Sequence, residues 1–268
     1  MSGPSEPSGP PGPPSDLSSG RRVLVTGAAS GLGAALVRAF EAAGDRVLAT
    51  DLGGTGFDLD ITSDADWARA VEHVEAEWGG LDILVNNAGV AGGGRLHLAT
   101  LEEWQWIFEI NLFGAVRGTR AFVPMLREQG SGHIVNVASL AGLVHPAGMA
   151  SYNAVKAAVV ALSETTGHEL AGHGVRCSVV CPSYFRTNLM DSLQGADTAL
   201  GTVISGLVES SPFTAEDIAA EVLAGIARQQ EVIIPDEAAR RAVDLKQNDR
   251  AGYDAVMRQQ AARLDRMD

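Results

Sequence analysis

The sequence predicts an α/β fold, a single domain built on a doubly wound parallel sheet with helices on both faces. Three observations predict it. From Arg21 onward, short runs rich in β-branched residues alternate with longer runs of helical apolar spacing, without an internal repeat, as consecutive βαβ units require. The first such run ends directly in a glycine-rich turn that opens a helix. The length, 268 residues with 46% hydrophobic, suffices for one substantial core, and alternating strand and helix chains reach it as one domain.

The elements follow in order. Residues 1–19, MSGPSEPSGPPGPPSDLSS, hold no aromatic or β-branched residue and cannot offset the entropy of ordering, so a disordered tail is expected there. The catalytic domain is expected over 20–235. Residues 23–25 read as a buried strand, followed by a helix from Gly31 with apolar positions at Ala34, Leu36, Val37 and Phe40. A second strand is expected over 46–51, a helix with an acidic start over 64–78, and a third strand over 81–87. A long helix over about 101–129, a strand over 133–138, a helix over 151–171 and a strand over 175–181 come next. Residues 190–211, rich in Gly and Ser and just beyond a strand's C-terminal end, read as an irregular ligand-covering segment. Thr214 opens another helix, 231–234 reads as a last strand stopped by Pro235, and 236–268 as a polar helical extension of the same domain.

Composition narrows the function. The net charge of −13 argues against nucleic acid or an anionic membrane as partner. No run approaches the roughly 18–20 apolar residues of a membrane span, and the N-terminus lacks a basic region followed by an apolar one, so a cytoplasmic protein is expected. Cys177 and Cys181 are the only cysteines and read as buried free thiols. The six histidines are scattered, there is no Cys-x-x-Cys, and no metal site is expected.

Of the 20 cationic side chains only two are lysines, and one of them, Lys156, stands four residues after Tyr152. On a helix that spacing puts both on one face, with an ammonium beside a phenol. An unperturbed phenol ionises near pKa ~10, and a neighbouring cation favours the phenolate, so the pair reads as a proton-transfer group. Arginine would be a poorer choice, because its planar fork is no compact point charge on a flexible stem. The plainer alternative is a half-exposed aromatic and a surface cation.

The turn after the first strand reads Thr26-Gly27-Ala28-Ala29-Ser30-Gly31-Leu32-Gly33. Glycines there let a pyrophosphate approach backbone amides at a helix N-terminus, although the spacing is G-x-x-x-G-x-G and a structural turn would look the same. Asp51, at the end of the second strand, supports a dinucleotide, the plainer alternative being a solvated strand end. Its carboxylate suits ribose hydroxyls and would repel a 2′-phosphate, while Ser30 and Leu52 stand where a cation would greet that phosphate. NAD is therefore expected over NADP.

With these residues the chain resembles the short-chain dehydrogenase/reductase family, in its shorter, non-extended type, over about residues 21–235. The landmarks are TGAASGLG at 26–33, Asp60 in the run 58–62, NNAG at 86–89, Ser139, and Tyr152-x-x-x-Lys156. The resemblance implies a Rossmann-type fold and a Ser139, Tyr152, Lys156 and Asn111 catalytic set. In it Ser139 donates to the substrate oxygen, Tyr152 exchanges the hydroxyl proton, Lys156 lowers the phenol pKa and binds the nicotinamide ribose, and Asn111 fixes a water. It further implies a cofactor site of Gly27, Ser30, Gly31, Leu32, Gly33, Asp51, Asp60, Ile61, Asn87, Ala88, Gly89, Tyr152, Lys156, Pro182, Ser183 and Thr187. Asp60 and Ile61 would meet the adenine, and Thr187 the nicotinamide carboxamide. The chain departs from the family's Pro-Gly at Pro182-Ser183, which adds a hydroxyl near the reacting centre. Pairing of the long helices across a two-fold axis would give a homo-oligomer, a dimer or tetramer.

Residues flanking this set, Val90, Ala91, Gly92 to Gly94, Leu140, Met149, Tyr184, Phe185 and Met190, are mostly apolar, and His145 reads as a loop residue before Pro146. A hydrophobic secondary alcohol or ketone is the expected small-molecule substrate. The expected activity is that of an NAD-dependent alcohol dehydrogenase or ketoreductase. A catalytically idle NAD(H)-binding sensor or scaffold, and an NADP-linked carbonyl reductase, are the rival readings.

Overall fold

The computed structural model describes residues 20–267, so the expected tail at 1–19 lies outside the described residues. Strand β1 (Arg22–Thr26) leads through the glycine turn into α1 (Gly31–Ala42), then β2 (Arg46–Asp51), a short β3 (Phe57–Asp58), α2 (Asp64–Trp78) and β4 (Ile83–Asn86). Helix α3 (Leu101–Phe108) passes through a π turn (Glu109–Phe113) into α4 (Gly114–Gln129), followed by β5 (Gly132–Val137), the short α5 (Ala141–Val144), α6 (Ala150–Leu170) and β6 (Val175–Val180). The chain ends with α7 (Thr198–Glu209), α8 (Ala215–Ala227), β7 (Val232–Ile233), α9 (Glu237–Asn248) and α10 (Arg250–Leu264).

All seven strands pair in parallel, in the order β3-β2-β1-β4-β5-β6-β7. Both faces are buried, which is why the strands read as continuous apolar runs and not as alternating ones. Val23 and Val25 pack on one side with Leu36, Phe40, Ile218 and Val222 of α1 and α8. Leu24, one residue out of phase, packs on the other with Leu84, Ile134, Trp67 and Phe122. Trp67 and Phe122 meet edge to face, their centroids 6.4 Å apart, worth about 0.5–1.5 kcal/mol beyond their burial.

The helices start where local chemistry dictates. Ser63 accepts from the Asp66 amide at 3.2 Å, while Thr100 with Glu103 and Thr214 with Asp217 form reciprocal capping boxes. Two expectations are corrected. Residues 198–209 are a regular helix and not an irregular segment, because Asp197 caps the start and Leu200, Ile204 and Val208 recur at helical spacing on a buried face. The polar extension is two helices, broken at Asp249, whose carboxylate caps α10 by accepting from the Gly252 amide at 2.9 Å.

The order of strands reverses direction between β1 and β4. Successive crossovers there leave on opposite faces, which opens a crevice at the C-terminal strand ends. The glycine turn, Asn87 and Ser139 follow C-terminal strand ends, and Asp51 is the last residue of β2.

Candidate active site

A cleft of about 690 Å3 runs across the C-terminal edge of the sheet. All the catalytic and cofactor-binding positions expected from the sequence line it, from Gly27 to Thr187.

At one end the glycine turn is pulled tight. Gly31 has φ +52°, and a Cβ there would lie 2.8 Å from Thr187 Oγ1. A Cβ on Gly33 would fall 2.0 Å from the Gly27 carbonyl oxygen, so no side chain fits. Ser30 caps α1 in extended conformation while its hydroxyl makes no capping bond. Asp51 joins the two expected motifs physically. Its Oδ2 accepts from the Ala29 amide at 2.9 Å and its Oδ1 from the Leu52 amide at 2.8 Å. Thr26 Oγ1 accepts from the amides of Asn87 and Ala88 at 3.0 Å each, and Asn87 Nδ2 donates to the Thr26 carbonyl at 2.8 Å. The 86–89 run is thus clamped onto the first strand. Asp60 Oδ1 accepts from the amide and hydroxyl of Thr62, which fixes the turn that carries Ile61.

The reacting groups stand on β5 and α6. Ser139 lies just past β5, where its Oγ accepts from the Ala141 amide at 3.2 Å and where its hydroxyl favours ionisation of the Tyr152 phenol. Tyr152 and Lys156, both buried, project from the first two turns of α6. Lys156 Nζ donates to the Val137 carbonyl at 3.1 Å and sits 5.7 Å from the Tyr152 ring centroid. Burial pushes the phenol up to about 12, partly offset by the Ser139 bond, and pushes Lys156 down to about 8. Desolvation is the largest cause of the raised phenol value, with the charge of Tyr184 adding to it.

Asn111 sits in the π turn. Its Oδ1 accepts from the Val90 amide and its Nδ2 donates to the Val90 carbonyl, both at 3.0 Å, so its side chain holds the cleft wall at residue 90. Pro182 accepts from the Leu140 amide at 2.8 Å, which brings the loop after β6 against the Ser139 loop. Ser183 lines the cleft, and its hydroxyl donates to Asp236 Oδ1 at 3.0 Å. His145 does not line the cleft; its Nε2 meets the Gly142 carbonyl and its Nδ1 faces Lys246. Of the flanking apolar positions, Val90, Ala91, Gly92, Leu140, Met149, Tyr184 and Phe185 line the cleft and Gly93 and Gly94 do not, whereas the Met190 side chain lies outside the described residues. Sequence reasoning missed Leu193, Ile204, Leu207, Val208 and Gln260 in the lining. The spacing of Leu200, Ile204 and Val208 was the available signal for α7; nothing local marks Gln260.

Residues 21–197 match the family model for short chain dehydrogenases. The 3-alpha-(or 20-beta)-hydroxysteroid dehydrogenase of Mycobacterium bovis is 36% identical over 186 residues, spanning 64% of this chain and 72% of that protein. A short-chain dehydrogenase/reductase from Burkholderia phymatum, solved in complex with NAD, superposes with a TM-score of 0.80 at 29% identity, covering 87% of this chain and 95% of the other. A short-chain dehydrogenase from Burkholderia cenocepacia, solved with NADP, superposes at 0.77 with 28% identity, covering 89% and 98%.

Proposed function

The chain belongs to the short-chain dehydrogenase family, and on that premise we propose that it interconverts a hydrophobic secondary alcohol and its ketone with NAD(H) as hydride carrier. One observation carries the reading. Tyr152, with Ser139 and buried Lys156 beside it, lines the same cleft that ends at the glycine turn and Asp51.

The lining fits a nicotinamide dinucleotide. Bare backbone at Gly31 and Gly33 and the uncapped start of α1 suit a pyrophosphate, and the Asp51 carboxylate suits ribose hydroxyls. Lys156 is the one Lys or Arg residue lining the cleft among the described residues, and it lies by Tyr152 and not by Asp51. This supports NAD over NADP.

The bound cofactor supplies the carbon that accepts or returns hydride. Ser139 donates to the substrate oxygen, where charge develops. In the reducing direction the Tyr152 phenol gives its proton to that oxygen, and in the oxidising direction the phenolate takes it back. Lys156 stabilises the phenolate as it forms and donates to the nicotinamide ribose. Asn111 keeps Val90 in place through one accepted and one donated hydrogen bond, and it is the residue given the role of fixing a water for the proton path. Apolar walls at Val90, Met149, Ile204 and Leu207 favour an apolar substrate body. Trp104 and Phe108 stack with centroids 6.2 Å apart on α3, and we read α3, α4 and α6 as faces for self-association, to be checked by light scattering.

Turnover of a panel of hydrophobic secondary alcohols, followed as NADH absorbance, tests this reading. Oxidation with NAD in preference to NADP is expected. A preference for NADP would sink the role given to Asp51, and cofactor binding without turnover of any alcohol or ketone would favour an idle dinucleotide-binding protein.

A further inference from the structure

The residues after β7 fold back over the reaction side of the cleft, and five contacts along their length hold them there. Asp236, 2% exposed and the cap of α9, accepts from the Ser183 amide and hydroxyl at 3.0 Å each and from the Ala239 amide at 2.7 Å. Lys246 donates to the Leu143 carbonyl and lies 2.8 Å from His145 Nδ1. The Tyr253 hydroxyl donates to the His145 carbonyl at 3.3 Å. Leu264, 2% exposed, fills the space beside Gly148, where a Cβ would fall 2.6 Å from its Cδ1. Arg95 donates to the Leu264 carbonyl at 3.3 Å while its Nε and Nη2 bind the Asp197 carboxylate that caps α7. Ser183, the departure from the family pattern, and the C-terminal extension are therefore parts of one device. It fixes the hairpin of α9 and α10 against the loops between β5 and α6 that follow Ser139 and precede Tyr152.

That hairpin puts one polar side chain into the cleft. Gln260 lies one turn before Leu264 on the same face of α10 and lines the cleft with Ile204, Leu207 and Val208 of α7. Its side-chain amide has no hydrogen-bond partner among the described residues. The nearby polar groups are differently placed. Ser192 Oγ already donates to the Leu189 carbonyl and accepts from the Ala91 amide, and the Tyr184 hydroxyl meets only Met149 Sδ, at 3.8 Å. An amide can both donate and accept, so it can serve a hydroxyl or a carbonyl.

We propose that Gln260 determines substrate specificity by hydrogen-bonding a second oxygen, removed from the reacting one, on an otherwise apolar alcohol or ketone. The inference rests on the alcohol/ketone reading above and narrows it to bifunctional substrates. A site that hydrogen-bonds a substrate group rejects the analogue lacking it more strongly than an apolar site rejects an added group.

The test uses the full-length enzyme and a panel of hydrophobic ketones in matched pairs, with and without a distal hydroxyl, benzylacetone and its para-hydroxy derivative among them. Wild type should favour the hydroxylated member of at least one pair about tenfold in kcat/KM, mostly through KM, as one net hydrogen bond implies. Gln260→Leu should bring that ratio to about one while leaving NAD affinity and the plain ketone within roughly twofold. Gln260→Ala, checked by thermal melting, guards against an effect of added bulk, and should lose the same preference. A wild type indifferent to the distal hydroxyl, or a preference that survives both substitutions, overturns the inference alone. A wild type that reduces no member of the panel with NADH or NADPH overturns it together with the reading beneath it.

Discussion

Asp51→Asn changes one atom and should change cofactor choice. The carboxylate now accepts two amides, Ala29 at 2.9 Å on Oδ2 and Leu52 at 2.8 Å on Oδ1. A carboxamide offers one acceptor oxygen, so whichever way it flips, an NH2 group faces one of those two N–H groups. One charge-assisted bond is lost, at about 1.5–3 kcal/mol, and the anionic acceptor for ribose hydroxyls goes with it. If that loss falls on the bound state, NAD affinity should drop roughly ten- to hundredfold. NADP loses the same acceptor but is relieved of repulsion against its 2′-phosphate, so the affinity ratio of NAD to NADP should fall at least about tenfold. Calorimetric titration of wild type and variant with both dinucleotides measures this, with thermal melting to show that the variant folds. A ratio unchanged by the substitution would refute the role assigned to Asp51.

Three further outcomes are expected. Burial holds His133 down at about 4, below its unfolded value near 6.5, so its contribution to stability is present above about 6.5 and is lost as the pH falls towards 4. Urea unfolding at pH 7 and 4.5 should show about 2–3 kcal/mol of that loss disappearing in His133→Asn, and an equal pH dependence in both proteins would contradict it. Asp197→Ala removes the carboxylate that the buried Arg95 guanidinium meets at 2.8 Å, leaving it the more distant Asp265, and should cost about 3 kcal/mol in chemical denaturation, with a loss under 1 kcal/mol counting against the pair's importance. Lys156→Arg must fit a planar fork where an ammonium 6% exposed reaches the Val137 carbonyl, so both turnover and NAD affinity should fall at least about tenfold, and an unchanged pair of values would remove its dual role.

The parts of the molecule most legible in the sequence were those set by local pattern. Buried parallel strands such as β1, β4 and β6 announce themselves as short apolar runs, and the glycine turn sits between the first strand and α1 as its spacing requires. Strand β3 was missed because two residues, Phe57 and Asp58, carry no period of their own. Helix α7 was hidden by its Gly and Ser content, although its cap and its apolar face were present in the letters. The π turn left only the trace of an asparagine in mid-helix. What the sequence hid about the site is long-range. The Ser183 hydroxyl is engaged by Asp236, 53 residues on, and Gln260 reaches the cleft only because α10 folds back. The electrostatics of Tyr152 are long-range for a related reason: a neighbouring cation is visible at four-residue spacing, whereas the desolvation that raises the phenol depends on the assembled core.

The account stands most directly on Tyr152 as the proton-transfer group of a hydride-transfer site. Tyr152→Phe removes the hydroxyl and nothing else, so the test is turnover of the best alcohol from the panel with NAD, alongside NAD affinity by calorimetry. The account predicts a loss of about a thousandfold or more in kcat, at the upper part of the range for a positioned acid or base, with NAD affinity within about threefold of wild type. Turnover by Tyr152→Phe within about tenfold of wild type would contradict it.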